Sequence, residues 1–353
     1  MRLIVFGLTL SSSWGNGHAT LWRGLGGALA RRGHEIVFFE RDVPYYAQNR
    51  DLFDWAAGEL VLYENWPLVA EKARAEVEKA DAVIVTSFCP DALAAADLAS
   101  GSAAGLNIFY DLDTPVTLTE YRKTRAVPYI PPDGFRRFDL VLSFTGGQAL
   151  EELKRLLGAR EVATLYGHVD PEVHRRLPPS ETYRASLSYL GTFARDRQPS
   201  LERLFVEPAR MLPEKRFLIG GALYPQDFPW GSNIYFVRHL PPAEHPSFFS
   251  SSDLTLNVTR APMAEMGFCP SGRLFEASAC GTAILSDYWR GIEEFFKPGE
   301  EILLVEQTKD VVDALRLDSD KVAAFASAGR HRTLAQHTSE HRAQEFENVL
   351  ARL

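Results

Sequence analysis

The chain has 353 residues, of which 46% are apolar and 24% charged, with a formal net charge of −8; it reads as a globular protein with room for two α/β domains. The negative balance, with no basic run, excludes a protein that coats nucleic acid, and no apolar stretch approaches the ~20 residues of a membrane span. Cys89, Cys269 and Cys280 lie in apolar surroundings, which points to buried thiols in a reducing, cytoplasmic setting, not to a disulfide frame or a zinc site.

In chain order, MRLIVFGLTL is too short for a signal peptide and lacks a small-residue cleavage site, so it reads as a first buried strand. The loop SSSWGNGHAT follows, then a helix over 21–32, a Gly33 break and a second strand over 35–40. This β-loop-α-β opening is Rossmann-like. Gly15 and Gly17 suit a phosphate or sugar approaching the backbone, but a third glycine at dinucleotide spacing is missing. His18 stands at the helix start, either as a packed turn residue or as a functional one. Strands are predicted over 82–86, 107–110 and 140–144. After the second of these comes DLDTP, whose Asp111 and Asp113 stand where open α/β sheets bind ligands. They suit sugar hydroxyls or proton abstraction. The plain alternative is that Asp113 caps a turn before Pro115.

Apolar periodicity disappears in LYGHVDPEVHRRLPP, which reads as an interdomain linker. The predicted organisation is an N-terminal domain 1–165, a linker 166–184, a second domain 185–335 and a last helix, 336–353, crossing back to the first domain. In the second half, a strand over 187–191 leads into TFARDRQPS, whose Arg195 and Arg197 are candidate diphosphate clamps. Strands over 216–220, 234–237 and 254–258 follow. The most informative stretch is FCPSGRLFEASACGTAILSD, 268–287: a turn, a short helix, a glycine stop and a buried strand. At the helix start Ser271 is placed to cap, Gly272 leaves the backbone open and Arg273 adds a cation beside free N–H groups, an arrangement that attracts phosphate. One turn on, Glu276 is placed to accept from a ribose or sugar hydroxyl pair. Each feature also fits an ordinary capped helix with a surface carboxylate.

The run PSGRLFEASACGTAILSDYWRGIEEFFKPGEEILLV resembles the donor-binding signature of retaining glycosyltransferases of the GT-B fold, and its wording is most similar to the CgeB-like, spore-maturation group. YGHVDPEVHRR resembles their hinge segment and YLGTFARDR their phosphate-contacting loop. The resemblance implies an α/β protein of two Rossmann-like domains facing each other across a cleft. It implies a nucleoside-diphosphate sugar as co-substrate, no further cofactor and no metal, and a hydroxyl acceptor whose nature is open. Glu276 would hold the donor ribose, and Ser271, Gly272 and Arg273, helped by Arg195, the diphosphate or sugar. Asn257, Thr259 and Arg260 would line the same place. Phe268 stands where many relatives carry an acidic residue, and Glu265 is out of register with that position.

The reaction expected is transfer of a glycosyl group to a hydroxyl with retention, catalysed by donors aimed at the departing diphosphate. His18 and Asp113 are the catalytic candidates, with Gly15, Gly17 and Asp111 on the acceptor side. The alternatives are an epimerase of the same fold, which consumes donor without acceptor; a protein that binds nucleotide sugars without turnover; and, on the first β-loop-α unit alone, a NAD-dependent oxidoreductase.

Overall fold

The computed structural model describes residues 1–102 and 105–353. The chain divides into two compact units, Met1–Tyr166 with Ser339–Leu353, and Gly167–Thr338. Each is a parallel sheet with helices, the Rossmann-like pattern that the alternation of apolar runs and helical segments predicts.

Unit 1 carries β1 (Arg2–Gly7), β2 (Glu35–Arg41), β3 (Glu59–Tyr63), β4 (Ala82–Thr86), β5 (Leu106–Asp111), β6 (Leu140–Ser143) and β7 (Val162–Thr164). Their order in the sheet is β3-β2-β1-β4-β5-β6-β7, all parallel. The central strands are almost wholly buried because helices cover both faces, hence the unbroken runs LIVF and AVIV. The helices are α1 (His18–Arg31), α2 (Pro44–Gln48), α3 (Trp66–Val77), α4 (Ala92–Ser100), α5 (Thr114–Thr124) and α6 (Gln148–Leu157). Gly33 and Gly158, at φ +87° and +73°, end α1 and α6 in the left-handed conformation that glycine adopts without strain. The edge strands β3 and β7 are absent from the sequence reading. β3 is half exposed and β7 spans three residues, so neither produces a long apolar run.

Unit 2 carries β8 (Ala185–Leu190), β9 (Phe217–Gly221), β10 (Ile234–Arg238), β11 (Ser252–Asn257), β12 (Ala283–Ser286) and β13 (Leu303–Leu304), in the parallel order β10-β9-β8-β11-β12-β13. Its helices are α7 (Gln198–Leu201), continued through a π turn (Glu202–Val206) into α8 (Glu207–Met211), then α9 (His245–Ser250), α10 (Ala261–Met266), α11 (Gly272–Ala279), α12 (Thr308–Ala314) and α13 (Ser319–Gln336). One core joins Leu187, Phe205, Phe217, Leu256 and Leu285 to Val311 and Val312. Residues 167–184 are largely irregular. They are tied to unit 2 by the Leu177 and Ser180 N–H groups, which donate to Ser250 Oγ and Ser251 Oγ at 3.0 and 2.8 Å.

The last helix, α14 (Ser339–Leu350), belongs to unit 1 and packs on α1. Its own Ala343 and Phe346 are buried, and Arg32 and His34 meet Glu347 at 2.6 and 2.9 Å. No helix of the described residues is long and apolar enough to cross a membrane.

Candidate functional site

In an open parallel sheet, ligands bind beyond the carboxyl ends of the strands, where the strand order reverses direction. That point lies between β1 and β4 in unit 1 and between β8 and β11 in unit 2. Both carry chemistry, and each is described by itself.

In unit 1 the loop after β1 is held by Glu40, a buried carboxylate at the end of β2. Thr9 Oγ1, Leu10 N, Ser11 N and Ser11 Oγ all donate to it, at 2.6–2.9 Å. The serine run therefore builds the turn. Gly15, at φ +70°, has no room for a side chain, because a Cβ there would meet the Tyr45 hydroxyl at 2.8 Å. Gly17 is the N-cap of α1 and faces open space. The loop delivers His18, which is buried, with Nε2 at 2.9 Å from Asp113 Oδ2. Ser87 Oγ, after β4, donates to the same oxygen at 2.9 Å. Asp113 does not cap α5 through its side chain, because its carboxylate turns to His18 and Ser87 instead. His18 Nδ1 is enclosed without a hydrogen-bond partner, whereas the Asp113 side chain keeps 22% exposure. Asp113 is therefore the more solvent-exposed member of the pair.

Asp111 lies behind them, fully buried, with Oδ1 accepting from Asp113 N and Thr117 Oγ1 at 3.1 and 3.0 Å and Oδ2 without a partner. Burial, then the Asp113 charge, raises its carboxyl to about 7. Thr117 also bonds the Tyr129 hydroxyl at 2.9 Å. Phe88, with its ring edge-on to His18, has φ +58°, an uncommon conformation for an aromatic residue and one found at functional strand ends. Nothing in the sequence alone marks Ser87, Phe88 and Tyr129 as neighbours of this pair.

In unit 2, α11 begins at Gly272 after Ser271. The Ser271 side chain makes no capping bond; its backbone carbonyl accepts from Leu274 N at 3.0 Å instead. The expected cap is thus replaced by an open helix end with free N–H groups. Arg273 and Glu276 are both partly exposed on this helix. Arg197 is buried after β8. One guanidinium nitrogen donates to Thr192 O, its Nε has no partner, and burial with the nearby Arg273 charge lowers its pKa. A buried, incompletely paired guanidinium beside a second cation suits an anion. Arg195 is exposed. Arg260, exposed after β11, lies 3.5 Å from Asp196.

Asn257 is buried and its amide donates to Thr259 Oγ1 and Ser286 Oγ at 3.2 and 3.0 Å, while Thr259 N and Oγ1 donate to Asp287. These residues shape the ends of β11 and β12 rather than offering free groups. Phe268, at φ +48°, packs on Gly291 and lies under Arg290, 5.5 Å from ring centroid to guanidinium. His174 and His245, close to Glu276, carried no sequence signal, because only the fold brings their segments to α11. Burial, with His174 and Arg273 adding to it and Glu276 opposing, lowers His245 to about 4. A cavity of about 930 Å³ lies elsewhere in unit 2, at the amino ends of β8 and β11 near Ser186 and Asp253.

Residues 196–348 match the family described as glycosyl transferase-like. No curated protein sequence matches the chain. Among solved structures, a sucrose-phosphate synthase from Thermosynechococcus elongatus is similar over 99% of this chain and 98% of its own, with a TM-score of 0.73 and 15% identity. Anabaena HepE in complex with UDP and glucose aligns over the whole of both chains, at TM-score 0.69 and 15% identity. A glycosyltransferase from Rickettsia africae covers 99% of this chain and 97% of its own, at TM-score 0.63 and 11% identity. The architecture of two Rossmann-like units is the GT-B fold, as the sequence resemblance implies.

Proposed function

We propose that the chain is a glycosyltransferase that takes a sugar from a nucleoside-diphosphate donor to a hydroxyl acceptor. The observation that carries this is the uncapped start of α11 at the strand-order reversal of unit 2, with Arg273 beside it and Arg197 nearby. The match of 196–348 to glycosyl transferase-like proteins, and the UDP held by a structure of the same fold, support it.

In this reading the α11 N–H groups and Arg273 take the diphosphate, and Glu276 accepts from the donor ribose. As the glycosidic bond breaks, charge grows on the departing phosphate oxygen, and fixed donors aimed there lower the barrier without reorganising. No metal is needed for that step, since the compensating charge comes from arginine and the helix end. Arg195 and Arg260 add exposed positive charge. Asp113, oriented by His18 and Ser87, accepts the acceptor's proton, while Asp111 and the turn at Gly15 and Gly17 shape its surroundings.

The signature resemblance favours retention. The His18–Asp113 pair favours a second reading, inversion, because a positioned base serves direct displacement by the hydroxyl. The anomeric configuration of the first product, read by proton NMR, decides between them. The central assignment is tested with Arg273→Ala: donor turnover falls about 10²–10³-fold in kcat, with the fold intact. Unchanged turnover and donor affinity would sink it. An epimerase would consume donor with no acceptor present, so release of nucleoside diphosphate that requires acceptor separates the two.

A further inference from the structure

Three side chains from different segments of unit 2 converge without hydrogen-bond partners that explain them. His174 comes from the irregular stretch after Gly167, His245 opens α9, and Glu276 lies one turn into α11. One ligand atom from each lies within 4.8 Å of the other two. His174 is only 4% exposed, and its Nδ1 is enclosed with no partner. Its backbone is pinned, since His174 N donates to Asp170 O at 2.9 Å. No side-chain hydrogen bond holds the Glu276 carboxylate among the described residues.

We infer that His174, His245 and Glu276 form a binding site for a divalent transition-metal ion of the zinc class. Two imidazoles and a carboxylate are a three-ligand set that leaves a fourth position open. Tetrahedral zinc, with bonds of about 2.0–2.2 Å, holds its ligands about 3.3–3.5 Å apart, so atoms now within 4.8 Å of one another close by roughly 1.5 Å at most. The donor set selects against magnesium and calcium, which prefer oxygen. Ion binding itself does not depend on the glycosyltransferase reading. The ion and the donor ribose compete only in so far as that reading assigns Glu276 to the ribose.

The test is cobalt(II) titration of the full chain without nucleotide, followed by zinc displacement and zinc withdrawal from a chromophoric chelator. One ion per chain is expected, with the intense visible absorption of low-coordinate cobalt, displaced by zinc and not by magnesium. His245→Gln and His174→Gln should each weaken binding at least ~10-fold, the lower end of what even outer contacts of metal ligands supply. Circular dichroism checks that each variant is folded, and His245, half-buried at the start of α9, is less exposed to folding loss than the buried His174. A cobalt spectrum like that of the aqueous ion, or affinity unchanged in His245→Gln, overturns the site. Because nucleotide is absent, failure here leaves the donor assignment untouched, and failure of Arg273→Ala leaves the ion site untouched.

Discussion

Asp111 is a carboxylic acid held at the wrong end of its usual range. In the unfolded chain it ionises near its ordinary value of 3.8, while burial, then Asp113, raises it to about 7 in the fold. Between those values the native state holds the extra proton, so this residue's contribution to stability declines as pH rises across the window. The full cost is present above about 7. Urea midpoints of unit 1 measured from pH 4 to 8 should therefore fall less steeply in Asp111→Asn than in the parent chain; parallel curves would refute the shift. Glu40 works in the opposite sense, because four donors of the loop after β1 depend on one carboxylate. Glu40→Ala leaves them buried and unmatched, at about 1–3 kcal/mol for each group that stays dry. A loss of at least ~3 kcal/mol in unit 1 is expected by chemical denaturation.

Among the elements, α14 shows how one helix is held by packing with charge added. Phe346 is 1% exposed, and Phe346→Ala should cost about 3–5 kcal/mol by transfer and cavity terms. The pairing of Glu347 with Arg32, and then with His34, lowers its pKa to about 2. Its share of stability is therefore present above the unfolded value near 4.5 and lost as pH falls through about 2. It is small, since the pair is solvated. Much of this architecture is legible in the sequence. The buried parallel strands β1, β2 and β4 read as apolar runs, and Gly33 and Gly281 mark where helices stop. β3 and β7 are not legible, because a sheet edge needs neither length nor full burial. At the sites, GNGHAT and DLDTP draw attention separately, but nothing in either predicts that His18 and Asp113 meet. The Ser271 side chain shows the opposite limit: a good capping residue is present, yet backbone geometry leaves it uncapped. His174 and His245 become visible only once folding has joined their segments.

At the scale of the whole molecule, each unit has its own sheet and its own core. On the proposed reading, a nucleoside diphosphate such as UDP at one hundred times its dissociation constant should add ~2.7 kcal/mol to the stability of the unit that holds it. Hydrogen exchange locates that gain: slowed amides are expected in 191–197 and 258–273, and unchanged ones in 9–18 when no acceptor is present. The reverse distribution would move the donor to unit 1. Unit 1 is also the one made from two separated segments, Met1–Tyr166 and Ser339–Leu353, with α14 completing α1 across the entire intervening unit. On the ribosome, that order matters. The first unit to emerge is the last to be finished, and α1 waits with its apolar side uncovered while unit 2, an unbroken segment, closes ahead of it. Premature termination before α14 would therefore damage the unit whose larger segment is already translated, and a chaperone guarding the nascent chain would be needed longest at that segment.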